Sequence, residues 1–266
     1  MLPNRKKFTL DFNIKMELIV QGLMIPGFVY YNIFTSTLHG QEVLTLLFCA
    51  FCGLVLVLTP TILYRNYFFR KISAVFAKTD SDENEILVLR RLILNYPTKE
   101  AIIISLRWIV GTSSTIVIMV SAFGLSYFKL PLLVYNVALI LPLSSLCTFF
   151  VAEYRLMALL KQPLFKQVSH IAIGNKNFTF FLRISLSFFS ILSLPVGMLS
   201  LFVIAPELFD KSLHEKLIFL SVMMAWVVIL IITTSIFFVR STSESIKNLL
   251  LSIQNLEQGN LQIDNP

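Results

Sequence analysis

Six long apolar stretches decide where this chain can fold. They lie near 17–38, 42–64, 100–125, 131–152, 178–205 and 217–239, and charge is scarce within them. The hydrocarbon core of a bilayer takes about 20 apolar residues as α-helix. A lone segment in lipid can satisfy its own backbone only as a helix. The expected fold class is therefore an all-α membrane protein with six transmembrane helices. Composition agrees, with 56% hydrophobic residues, 14% charged and 24 Phe, against roughly 25% charged in soluble domains. A soluble enzyme, a disordered tail and a secreted disulfide scaffold are excluded. Arg5, Lys6 and Lys7 precede the first stretch as they would in a signal peptide. That stretch is too long for such a peptide's apolar region and has no small-residue cleavage site after it, so it reads as a retained span.

Lys and Arg set the direction. Seventeen of them fall in the N-terminal segment, the loop after the second span, the loop after the fourth and the C-terminal tail. Only Lys129, Lys211 and Lys216 fall on the other side. The positive-inside rule then places both termini in the cytoplasm, and an even number of spans agrees. The net charge of +7 suits an anionic cytoplasmic leaflet, and nucleic acid is not an expected partner. The outer loops are short, and the longest, 206–216, holds Glu207, Asp210 and His214.

A weak internal repeat is visible. Spans two and four both end in Tyr-Arg, at Tyr64-Arg65 and Tyr154-Arg155. An apolar-basic helix follows each, and the returning span carries Leu-Arg, at Leu106-Arg107 and Leu182-Arg183. In the loop between spans two and three, Asp80, Asp82, Glu83 and Glu85 read as a helix start with acids in its first turn. A short helix is expected over 86–95, stopped at Tyr96-Pro97. Interfacial packing is its expected role, with docking of cytoplasmic modules as the sharper alternative.

Polar residues inside the apolar runs are the candidate sites. Arg107 and Arg183 fall in the first two turns of their spans, where an Arg can snorkel to the headgroups. The functional alternative is a lipid or anion contact. Ser187, Ser190, Ser193, Gly197 and Ser200 form a small-residue stripe suited to close helix packing or to a ligand groove. Gly111, Ser114 and Thr115 suit the same packing role. Pro26, Pro60, Pro142 and Pro195 interrupt spans as in transporters. Glu17, Glu42 and Glu153 lie at span ends, however, which gives transport little support. Cys49-Ala50-Phe51-Cys52 and Cys147 lie in apolar runs and read as membrane packing rather than as metal or redox chemistry. No nucleotide-binding loop, zinc-protease motif or other catalytic constellation is present. Catalytic residues, metal ligands and cofactors are thus none in this reading, and neither His39 nor His214 suits a haem.

After Arg240 the pattern changes. Ile246, Leu249, Ile253 and Leu256 repeat at heptad a and d spacing, with Leu250 at e. Glu257-Gln258-Gly259-Asn260-Leu261 ends the helix, and Gly259 can adopt positive φ there. The segment resembles the first half of a HAMP domain, although Ser245 stands where a Pro often precedes the first core residue. Six spans leading directly into HAMP resemble the N-terminal half of a bacterial class III adenylate cyclase. That resemblance implies a location in the bacterial cytoplasmic membrane and a parallel homodimer with a seam through Ile246, Leu249, Leu250, Ile253, Leu256 and Gly259. It also implies an output domain making cyclic AMP beyond Pro266. The expected organisation is a cytoplasmic segment over 1–16, a membrane domain over 17–239 and a partial HAMP domain over 240–266. Expected partners are a second copy, membrane lipid and a small hydrophobic or anionic ligand. A transporter or channel-like protein, or the input module of a histidine kinase, remain the other readings.

Overall fold

A computed structural model describes residues 5–35, 40–78, 82–124, 130–166, 180–204 and 212–257. These residues are almost entirely helical, and no strand occurs among them. The elements are α1 (Arg5–Thr35), α2 (Gln41–Phe76), α3 (Glu83–Phe123), α4 (Leu130–Leu160), α5 (Pro163–Lys166), α6 (Phe180–Ile204) and α7 (Leu213–Glu257). Five of them, α1, α2, α3, α4 and α7, are long and apolar enough to cross a membrane. The remaining expected span, 178–205, corresponds to α6, whose described apolar stretch is the shorter Ser185–Leu201.

The surface carries the apolar side chains that a water-soluble protein would hide. Phe48, Phe51, Leu63, Phe188, Phe189 and Val203 are all exposed, and a continuous apolar surface of this kind calls for lipid or protein cover. α4 occupies the centre. Of its most apolar window 56% is buried, against 22% in α2 and in α3. Polar order inside α4 comes from hydroxyls bonding back along the helix, as Thr148 does to Ser144 O at 2.7 Å.

The small-residue stripe of α6 lies against α4. A Cβ added at Gly197 would overlap the Leu139 side chain, so the two backbones approach only because that position has no side chain. Tyr135 Oη donates to Gly197 O at 3.0 Å and lies 2.9 Å from Ser200 Oγ. Gly27 plays the same part between α1 and α7, with Trp226 filling the space its side chain would need. Trp226 Nε1 donates to Leu23 O at 2.7 Å, in the turn before Pro26. Gly111, Ser114 and Thr115 face Gly53 of α2, where an added Cβ would meet Gly111 O at 2.9 Å.

The short helix expected over 86–95 is corrected. Asp82 does stand at the start of α3, with Glu83 and Glu85 in the first turn, but the helix runs on through Pro97 to Phe123 without a stop. A proline inside a helix costs roughly 3 kcal/mol. Tertiary packing offsets it here. Tyr96 is fully buried and stacks on Phe68 at 3.8 Å, and Ile86, Leu89 and Ile93 are buried in the main core. α2 likewise continues beyond Arg65 to Phe76, so the two helices run on through most of the segment expected to be a loop between them.

Candidate functional site

Four charged side chains meet inside the bundle. Glu17 comes from α1, Arg65 from α2, and Glu100 and Arg107 from α3, where the last two lie two turns apart on one face. Arg65 and Glu100 are each 1% exposed and Arg107 is 6% exposed. Arg65 Nη1 donates to Glu17 Oε1 at 2.6 Å. Its Nε donates to Glu100 Oε1 at 2.8 Å, and its Nη2 donates to the same oxygen. Arg107 grips Glu17 in a fork, with Nη1 to Oε1 at 2.8 Å and Nη2 to Oε2 at 2.9 Å. The signs alternate along the chain of contacts, from Glu100 through Arg65 and Glu17 to Arg107.

Charges of this kind stay ionised in a low-dielectric interior only when they are paired and hydrogen-bonded. Two acids and two guanidinium groups balance, so the knot carries no formal net charge. Phe12 covers Arg65, with its ring centroid 6.0 Å from the guanidinium carbon. Two atoms stay unsatisfied within the knot, Glu100 Oε2 and Arg107 Nε. The arrangement offers ion pairing and helix registration. Among the described residues no group of three or more His, Cys, Asp or Glu could hold a metal ion.

A cleft opens beside the knot between α1, α2 and α3. Arg107, Gln21 and Val57 line the end nearer the knot, and Ile116, Leu46 and Leu133 line the other end. Trp108 also lines it, but the indole Nε1 is engaged with Ser144 Oγ at 2.8 Å.

A third contact set lies where α7 leaves the bundle. Ser241 Oγ donates to Glu153 Oε2 of α4, and both residues are buried. Arg240 lies over the Tyr154 ring at 5.7 Å. Tyr154 also packs edge-on against Phe237 at 6.1 Å. The next residue, Arg155, reaches back to α1, with Nη1 3.8 Å from Asp11 Oδ2. The C-terminal end of α4 therefore touches both α1 and the segment 237–241 of α7.

Among the sequence candidates, Arg107 is turned into the bundle, and the anion against it is the chain's own Glu17. Arg183 lies on α6, with its side chain outside the described residues. Ile246, Leu249, Leu250, Ile253 and Leu256 lie on the continuous backbone of α7; their side chains, and Gly259 altogether, also fall outside the described residues. Sequence reasoning missed Arg65, Glu100 and Gln21 as site residues, and it read Glu17 as a carboxylate at a span end. Glu17 instead sits well inside α1 and faces two arginines. The available signal was the two-turn spacing of Glu100 and Arg107 within one helix. Cys49 and Cys147 are buried free thiols.

Compared with known protein families, with characterised proteins and with solved structures, the chain gives no match.

Proposed function

We propose that the chain is a membrane input module with six spans and cytoplasmic termini, which passes a change in the bilayer-embedded bundle to a cytoplasmic output domain. The observation that carries this reading is the continuity of α7. It runs for 45 residues, from Leu213 to Glu257, with no interior Pro or Gly. A rigid helix of that kind carries any shift or rotation of the last span to the a/d/e stripe at Ile246, Leu249, Leu250, Ile253 and Leu256. The clamp at Glu153, Tyr154, Arg240 and Ser241 supports it, because it fixes α7 to the central helix at the point of exit. The resemblance of 240–261 to a HAMP helix names a parallel homodimer as the working state and a class III adenylate cyclase as the output. Two packings of the seam, each favoured by one state of the bundle, would carry the signal, and a stimulus must discriminate between them energetically.

Cysteine scanning in native membranes tests the seam. Residues 246, 249, 253 and 256 should cross-link between chains much faster than 247 and 255. Equal rates at all six positions would overturn the dimeric seam.

A second reading, a transporter or channel-like protein, gains one observation. Glu17 and Glu100 are carboxylates inside the bundle, and ionisable groups so placed often mark transport paths. Both are held by arginines, however, which leaves the input module as the better-supported reading.

A further inference from the structure

A second groove lies on the surface of the bundle, along the seam of α2 and α3. Pro60, Thr61 and Tyr64 line it from α2, and Lys99, Ile102 and Ile103 line it from α3. The register of the two antiparallel helices puts its polar groups at one height. Gly53 and Gly111 mark the close approach, since a Cβ added at Gly53 would lie 2.9 Å from Gly111 O. Tyr64 follows Gly53 by eleven residues and Lys99 precedes Gly111 by twelve. The two therefore differ by one residue's rise, about 1.5 Å. The bond from Arg65 to Glu100, one residue further along each helix, repeats that match.

Neither the Lys99 ammonium nor the Tyr64 hydroxyl has a hydrogen-bond or ion-pair partner among the described residues. The Tyr64 ring is held against Tyr96, with centroids 6.3 Å apart. Thr61 is already satisfied by Val57 O at 2.8 Å. The one acid at this height, Glu100, is buried and taken by Arg65. The groove thus carries a positive charge with nothing in the fold to balance it. Its surroundings change polarity along the seam. Toward Gly53 and Gly111 the flanking Leu56, Leu106 and Val110 are exposed and apolar. In the other direction Lys71 and Arg91 are exposed. An ammonium at such a boundary, between an apolar helix seam and a basic one, suits an anionic head group whose chains lie in hydrocarbon. A zwitterionic head brings its own cation and leaves the Lys99 charge in excess. A head with one net negative charge balances it.

We infer that the α2–α3 groove binds an anionic phospholipid, with its phosphate between Lys99 and Tyr64 and an acyl chain over Pro60, Ile102 and Ile103. The inference is independent of which output, if any, α7 drives.

The test is native mass spectrometry of the full chain in detergent, which reads the first lipid bound. The probes are phosphatidylglycerol, phosphatidylcholine with the same acyl chains, and glycerol 3-phosphate. Phosphatidylglycerol should bind about tenfold tighter than phosphatidylcholine, the low end of what a hydrogen bond to a charged group is worth. Lys99→Gln should abolish that preference, and Lys99→Arg should keep it. Tyr64→Phe retains the ring against Tyr96 and should weaken phosphatidylglycerol about threefold. Arg70→Gln removes an exposed charge of α2 that does not line the groove, and it should leave the preference in place. Lys99 and the Tyr64 hydroxyl bond nothing in the fold, so the thermal unfolding profile should not change. Equal binding of the two lipids to the unaltered chain would overturn the inference. Equal losses in Lys99→Gln and Arg70→Gln would overturn the groove as the site, because net charge alone would then set the preference. Unchanged binding in Tyr64→Phe would overturn the assigned place of the phosphate. Displacement of phosphatidylglycerol by an equal concentration of glycerol 3-phosphate would overturn a lipid as the occupant, since the phosphate would then bind without its chains.

Discussion

Tyr64-Arg65 and Tyr154-Arg155 are the same dipeptide in the C-terminal halves of two helices, and the fold uses them differently. Arg65 is 1% exposed and pairs with Glu17 and Glu100. The Arg155 side chain is 28% exposed and lies 3.8 Å from Asp11, whose own side chain is 45% exposed. Both arginines reach α1. Among the described residues only the first meets a second acid, because α3 brings Glu100 up to it. Their tyrosines diverge as well. Tyr64 stacks with Tyr96 of α3, whereas Tyr154 takes Arg240 and Phe237 of α7. The α2 copy knits α1, α2 and α3 together around a closed ionic knot. The α4 copy links α1 to the exit of α7 through contacts nearer the surface. A repeated dipeptide thus fixes which side chains are offered, and the neighbouring helix decides whether the pair is buried.

Removing Arg65 breaks this comparison most severely. Arg65→Leu strands Glu17 partly and Glu100 wholly, and loss of one partner from a buried pair costs about 3–5 kcal/mol. Thermal unfolding in detergent, or the fraction resistant to limited proteolysis, should show the loss. A melting profile like that of the unaltered chain would mean that the knot contributes nothing net.

Arg107→Lys sharpens it. Lysine keeps the charge but cannot form the two-pronged grip on Glu17. A hydrogen bond to a charged group is worth about 1.5–3 kcal/mol, and a destabilisation at the low end of that range is expected by the same measurement. Full stability with Lys would show that charge alone suffices there.

Arg155→Gln should have the smallest effect. Exposed ion pairs are worth about 0–1 kcal/mol, so unfolding should barely change, and what change there is should fade with added salt. A loss as large as that for Arg65→Leu would erase the distinction between the two copies.

Much of the architecture is legible in the order of residues alone, because lipid imposes a simple rule on backbone hydrogen bonds. Apolar length marks the helices, and the small residues of α6 at Ser187, Ser190 and Gly197 mark a packing face that lies against α4. The start of α3 at Asp82 and the unbroken path from Leu217 into Leu256 are legible for a related reason, since both depend on local residue preferences. The passage of α3 through Pro97 is not legible. Local chemistry argues for a stop there, and only the burial of Tyr96 against Phe68, contributed by a neighbouring helix, reverses it.

The ionic knot and the cleft belong to the tertiary structure in the same sense. The sequence determined that a few charges would have to enter an apolar bundle: Glu17, Arg65, Glu100 and Arg107 all stand within or beside long apolar runs. It could not state their partners, because a periodic pattern gives the face of each helix but not its neighbour or relative height. Packing decided that Arg107 meets Glu17, and that Gln21 and Thr112 line one cleft with Arg107. Pair energies and desolvation costs depend on distances of a few ångströms between helices, and those distances exist only once the bundle has closed.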